Sequence, residues 1–373
     1  MTYSPAPARH YYGLDILRAT LMIIGVFWHS VEVLSPFGGF VYSSEIHRSW
    51  LLRAIVYPEH IFRMEAFFLV SGFFAMMVRT RKGKPAFWQA RIKRVLVPVL
   101  LGCFGVNLGL QIFGSIFMNY QWSHFDMWRW VMHGWFLITL FTCAVIDMLL
   151  PMNAYQRASR LGIVFMSVIA VFGYVALQIG NVYYWHCYGP VSGNLFNFFI
   201  VNTVQYFPFY YGGGLLYVHR EQLEHLSRRF WFFLIAVTLL SATLEYCNNM
   251  RIVRIFLSDN WLWTSLTYRL NHVCAAGGIA FLLFYWCYRS TYQGGKTLKY
   301  LIDSAIVVYL VHHPLVIIYG WLFDSPQLSN GAYYALLVVI TLISCYIAYE
   351  IIRRHAALRF AFGLKTAPKP VSP

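Results

Sequence analysis

The chain has 373 residues, of which 59% are hydrophobic, 19% aromatic and only 12% charged, with a mean hydropathy of +0.55. Soluble domains carry roughly 25% charged residues, so this composition excludes a soluble enzyme, a disordered tail and a disulfide scaffold together. A net charge of +15 would suit nucleic acid, but the basic residues sit in short connectors with no basic, aromatic-studded face, so no nucleic-acid partner is expected.

A membrane-spanning helix needs about 20 apolar residues. In chain order, apolar runs at 14–34, 54–78, 95–118, 130–150, 161–179, 196–218, 230–247, 262–288, 300–322 and 331–352 predict about ten such helices. The reading is an all-α, polytopic integral membrane protein whose solvent is the lipid bilayer. One transmembrane domain covers 14–352, between a tail at 1–13 and a tail at 353–373, both expected to be flexible. The first run carries Asp15 and Arg18 with no small-x-small site after it, so it is not read as a cleavable signal. Alternate connectors hold 21 and 5 of the lysines and arginines. That bias predicts both termini in the cytoplasm. The seven cysteines stand alone with no CxxC and read as ordinary membrane-core residues. Homo-oligomerisation stays open.

Arg18, Arg63 and Arg269 lie inside apolar runs, together with Asp15, His29, Glu32, Glu65, His272, Asp303, His312 and His313. Ionisable groups at membrane depth are costly unless they face a partner or a wet cavity. Arg18 and His29 are 11 residues apart, about three turns plus 20°, so they share a face roughly 16 Å apart. Asp15 can pair with Arg18 one turn away, and Glu32 can orient the His29 ring. Depth along the runs brings Arg63, Arg269, His272, His312 and His313 to the layer of His29, predicting one polar chamber. Adjacent histidines on a helix diverge by about 100°, so His312 and His313 predict no metal centre, and no metal is expected.

The connector from Arg79 to Arg94 holds seven positive charges and no acid. It signals topology and anionic-lipid contact. It also suits phosphate, with Arg91 and Arg94 on one helix face and Lys93 between them. Ser71-Gly72 and Gly212-Gly213-Gly214 read first as close helix packing, with Ser71 retained as a substrate contact. Tyr183, Tyr184, Trp185 and Tyr188 predict an aromatic loop, an interfacial anchor or a surface on which sugar rings stack. At this level an enzyme and a proton-coupled transporter or sugar flippase are equally open.

Several segments resemble one family. Residues 14–29 contain Arg18, ten residues, then His29; 62–74 read FRMEAFFLVSGFF; 91–98 read RIKRVLVP; and 133–137 read HGWFL. In order and spacing they resemble the membrane acyltransferase family 3 from about residue 11 to 360. DSAIVVYLVHHPL at 303–315 is most similar to its osmoregulated periplasmic glucan succinyltransferases.

The resemblance implies an acyl-CoA-dependent O-succinyltransferase of the bacterial inner membrane. Succinyl-CoA would be its acyl donor substrate, with no permanently bound cofactor, and periplasmic glucan its acceptor. By the same resemblance His29 is the catalytic residue, Arg18 holds the acyl donor, and Arg91 and Arg94 bind CoA phosphates. The residues themselves fit this with His29 as general base, Asp15 as the partner of Arg18 and Lys93 as an added charge beside the phosphates. His312 or His313 assists at the oxyanion. Arg63 and Arg269 are the candidates for the succinyl carboxylate, with Glu65 beside Arg63 a further substrate contact.

Overall fold

The structure is a computed structural model that describes residues 10–36, 42–118, 131–152, 154–155, 163–188, 195–256 and 260–364. Every one of the expected spans contains a helix. The first is split into α1 (Tyr12–Ile23) and α2 (Gly25–Val33). Next comes α3 (Trp50–Arg91), followed through π-helical turns Ile92–Leu96 and Gly102–Asn107 by α4 (Val97–Leu101) and α5 (Leu108–Phe117). Then follow α6 (Trp135–Leu149), α7 (Ile163–Tyr188), α8 (Leu195–Val218) and α9 (Arg228–Asn249). A third π turn, Val273–Gly277, joins α10 (Trp261–His272) to α11 (Gly278–Arg289). The chain closes with α12 (Lys296–Leu322), α13 (Asn330–Ile352) and the short α14 (Ala356–Ala361).

Among the described residues, seven helical stretches are long and apolar enough to cross a membrane, against about ten expected. The difference has two sources. Residues Trp50–Phe117 form one helical run of 68 residues that holds two expected spans. Gly83, at φ 78° and ψ 171°, kinks it between them, a conformation open to glycine for want of a Cβ. The second source is composition. α8 is diluted by Asn202, Thr203, Gln205 and its three consecutive glycines, while α7 is 26 residues long and stands outside the seven because its described side chains cover mainly the apolar segment Val168–Gly180.

α3 is the central helix, and its most extensive packing is against α8. A Cβ on Gly72 would stand 1.8 Å from the carbonyl oxygen of Tyr210, and one on Gly213 would stand 1.8 Å from that of Leu69. The two backbones therefore approach with no room for side chains, the small-residue packing expected of both glycine motifs. Around this contact Phe73 meets the rings of Tyr11, Tyr217 and Phe284 at centroid distances of 5.1–5.2 Å. On α13, Val339, Ile343, Ile347 and Ile351 repeat every fourth residue and are all exposed, while Leu337, Thr341 and Cys345 are fully buried. An apolar stripe turned away from the core suits lipid.

Arg79 is one of the seven connector cations, but it is not free for phosphate. It is 3% exposed and bonds Asp147 Oδ1 at 3.0 Å and the carbonyls of Asp147 and Leu150 at 2.6 Å each. The guanidinium thus closes the C-terminus of α6, where unpaired carbonyls favour a cation.

Two expectations about segments change. The tails are ordered where they are described. Tyr11 packs on Phe73 and Tyr288, and 356–364 folds back until Phe362 is buried. Residues 1–9 and 365–373 lie outside the described residues. The expected aromatic loop is helical, since α7 runs on through Tyr188. Its sequence meets no helix breaker before Gly189-Pro190.

Candidate active site

The split between α1 and α2 positions the candidate site. A Cβ on Gly25 would lie 3.2 Å from Arg63 Nη1 and 3.7 Å from His312 Nε2. Its absence lets α3 and α12 deliver both side chains against the first span. One turn further, His29 Nδ1 lies 2.6 Å from Glu32 Oε2. A carboxylate can only accept, so Nδ1 carries the proton and Nε2 of the neutral ring is left basic. That is the orientation a general base needs.

Both α12 histidines meet His29 despite diverging on their helix. The ring centroids of His312 and His313 lie 5.2 and 4.7 Å from that of His29. The expected set of His29, His312 and His313 was incomplete. His133 stacks on His313 at 4.8 Å and lies 5.5 Å from His312, so four imidazoles adjoin. His133 stands at the head of HGWFL, the one signal in the sequence that pointed to it. Its backbone is held by Tyr309, whose hydroxyl donates to the His133 carbonyl, and Asn107 donates to Val131 at 3.0 Å. Met132 adopts φ 39°, a left-handed strain of the kind that concentrates at functional sites.

The imidazoles carry unused polar capacity. His312 Nδ1 donates to the carbonyls of Val308 and Tyr309 at 2.9 and 2.8 Å. Its Nε2, both ring nitrogens of His133, and His313 Nδ1 are buried without a protein partner. Each such group costs about 1–3 kcal/mol unless a ligand or water meets it. The pocket is therefore built to receive a polar group.

A cavity of about 980 Å³ opens below this cluster. Part of its lining is basic, formed by Arg18, Lys82, Arg91, Arg94, Lys296 and Lys299, with Asp15 and Asp303 as the acids. Its inner walls are Met22, Phe67, Phe74, Leu137, Leu140 and Ile306, and Ser71 also lines it. Arg18 bonds Asp15 at 3.3 Å, as its spacing predicted, and its guanidinium carbon lies 5.2 Å from the Phe74 ring centroid. The lining reaches Met22 on α1. His29 stands seven residues beyond, about 10 Å along the axis.

Three expected members of the site lie elsewhere. Lys93 is exposed and does not line the cavity, because two residues past Arg91 a side chain has turned to the far face. Glu65 accepts from His272 Nε2 at 3.2 Å, and the other ring nitrogen bonds Glu245 at 2.8 Å. Two residues after Arg63, it faces α9 and α10 and not the His29 cluster. Arg269 is only half-buried and lies over the ring of Tyr268 at 5.8 Å. The single chamber expected from depth is thus two centres, one around His29, Arg63, His133, His312 and His313, the other around His272. Among the described residues no cluster of three or more potential metal ligands is suited to an ion.

No solved structure matches this chain significantly. Among curated proteins it is similar to "Glucans biosynthesis protein C" of Escherichia coli (strain SMS-3-5 / SECEC), with 26% identity over 396 residues, 98% of this chain and 97% of the relative. The protein of the same name from Salmonella agona (strain SL483) is 26% identical over 400 residues, covering 99% and 98% of the two chains. Residues 11–350 match the family model described as "Acyltransferase domain", and with that match the enzyme reading stands over the transporter: this multi-pass membrane chain belongs to that acyltransferase family.

Proposed function

We propose that the protein transfers a succinyl group from succinyl-CoA to a hydroxyl of a glucan on the opposite side of the membrane. The observation that carries this reading is the His29–Glu32 pair, set among buried imidazoles about 10 Å beyond the inner lining of a basic cavity. The names of the relatives support the glucan. The connector charge bias supports cytoplasmic termini, and with them an inner-membrane location and a cytoplasmic cavity mouth. Residues 14–352 act as one catalytic domain between the two tails.

CoA phosphates bind at Arg91 and Arg94, with Lys82, Lys296 and Lys299 adding charge. The pantetheine arm follows the apolar wall past Arg18 and Met22 toward His29. A glucan hydroxyl oxygen attacks the thioester carbonyl while His29 Nε2 removes its proton. The tetrahedral intermediate collapses, the carbon–sulfur bond breaks, and the imidazolium returns the proton to the departing CoA thiolate. Glu32 holds the ring and stabilises its protonated form during the step. His133 and His313 offer hydrogen bonds to the oxyanion from inside the buried cluster. His312 has its proton committed to backbone carbonyls and presents only a lone pair.

Purified protein given succinyl-CoA and a β-glucan tests this by free-thiol release and by mass spectrometry of the glucan. Thiol release that depends on glucan, yields succinylated product and disappears in His29→Ala is the expected result. Undiminished release in His29→Ala, with wild-type folding, would remove the mechanism.

A further inference from the structure

Trp28 precedes His29 and points into a second group of aromatic side chains. The ring of His60 stacks on it at 3.9 Å and 11°, the closest stack among the described rings near the site. Tyr57 flanks both rings at centroid distances of 6.1 and 6.0 Å, and the Arg53 guanidinium lies over the same indole at 5.5 Å. Trp28 and Tyr57 are buried, but His60 is exposed. One face of the imidazole is therefore backed by indole and the other is open.

The surroundings restrict what the open face can take. The neighbouring Glu59 bonds Arg63 through Oε1 at 3.1 Å, while its Oε2 is buried without a protein partner. The Glu32 carboxylate, which holds His29, is also hydrogen-bonded by the Trp28 side chain, and an indole N–H can only donate. Two carboxylates disfavour an anion, and the Arg53 guanidinium over the indole disfavours a cation. An acyl chain would leave the carboxylates desolvated. A neutral polyhydroxyl ring meets all three conditions, with C–H groups for the aromatic face and hydroxyl donors for the acceptors.

We infer that the Trp28–His60 stack, with the Glu59 and Glu32 carboxylates, is a pyranose-binding subsite that holds the acceptor sugar beside His29. The inference rests on the acyl-transfer reading for its purpose and on the exposed stack for its chemistry. Trp28 couples the subsite to the reaction, because the indole that supports the sugar also bonds the carboxylate that orients the base.

The test is direct binding of a β-glucan oligosaccharide to the full-length protein in nanodiscs, without donor. Wild type is expected to bind, His60→Ala to lose at least about tenfold in affinity, equal to 1.4 kcal/mol, and His60→Phe to retain most of it by keeping a ring. Equal affinity in wild type and His60→Ala overturns the subsite. So does a wild type that releases thiol from succinyl-CoA yet binds no oligosaccharide. A wild type that binds oligosaccharide through His60 but never consumes succinyl-CoA leaves the subsite standing and removes the proposed reaction instead.

Discussion

His29 Nδ1 and Glu32 Oε2 face each other at 2.6 Å across one turn of α2. The contact sets the tautomer of a ring that has no other hydrogen-bonded anchor among the described contacts. Glu32→Gln preserves shape but lets an amide N–H₂ point at Nδ1, moving the ring proton to Nε2, where the base must act. The expected outcome is a kcat loss of about 10²–10⁴-fold. The KM for succinyl-CoA should change by less than about threefold, since the pair lies beyond the cavity that binds the donor. Steady-state thiol release against donor concentration separates the two parameters.

His133 offers two buried nitrogens with no protein partner, 5% exposed and stacked on His313. His133→Phe keeps the stack and the volume while deleting both nitrogens. If these atoms meet the oxyanion, kcat should fall about 10²–10³-fold, with the thermal unfolding midpoint in detergent unchanged. Full activity in a folded His133→Phe would assign the residue to packing alone.

The basic cavity makes a contrast within one short segment. Arg91 and Arg94 line it and Lys93 does not. Arg91→Gln or Arg94→Gln should raise the KM for succinyl-CoA about tenfold, a cost near 1.4 kcal/mol. Added salt should reproduce part of that loss by screening. Lys93→Gln should leave the donor KM at the wild-type value.

At the contact of α3 with α8 a methyl group has nowhere to go. Gly72→Ala and Gly213→Ala would each press a Cβ to 1.8 Å from a backbone oxygen of the facing helix. Backbone cannot rotate away as a side chain does, so each should destabilise by at least the roughly 1–3 kcal/mol typical of overpacking. Gly109→Ala, where nothing lies within 4 Å, is the control. Unfolding midpoints of the three variants in the same detergent decide it.

Periodicity and charge made the helices legible, because apolar runs must satisfy their backbone internally whatever they pack against. The faces that meet were less legible. Arg18 with Asp15 and His29 with Glu32 are pairs within one turn, and helical spacing alone predicted them. His272 was assigned to the His29 layer by depth, yet its ring turns to Glu65 and Glu245, since depth fixes height and says nothing of azimuth. His133 could not be placed from spacing at all. It reaches the cluster through a strained turn at Met132, and no sequence period encodes such a turn. Lys93 was grouped with its arginine neighbours by charge, although rotation along the helix separates them.

Arg63 carries the question of donor choice. Its side chain is 8% exposed, Nη1 bonds Glu59 at 3.1 Å, and the same nitrogen reaches within 3.2 Å of where a Gly25 Cβ would stand. A guanidinium has further donors to offer, so a succinyl carboxylate arriving beside His312 can share it with Glu59. An acetyl donor brings no charge and gains nothing there. Arg63→Gln should therefore reduce kcat/KM for succinyl-CoA by about 10²-fold more than for acetyl-CoA, a difference near 2.7 kcal/mol. The single variant leaves Glu59 buried and unpaired, which alone can cost about 3–5 kcal/mol of stability. Arg63→Gln combined with Glu59→Gln removes both charges and should restore folding without restoring the preference for succinyl. Equal losses with both donors in the folded double variant would confine Arg63 to its pairing with Glu59.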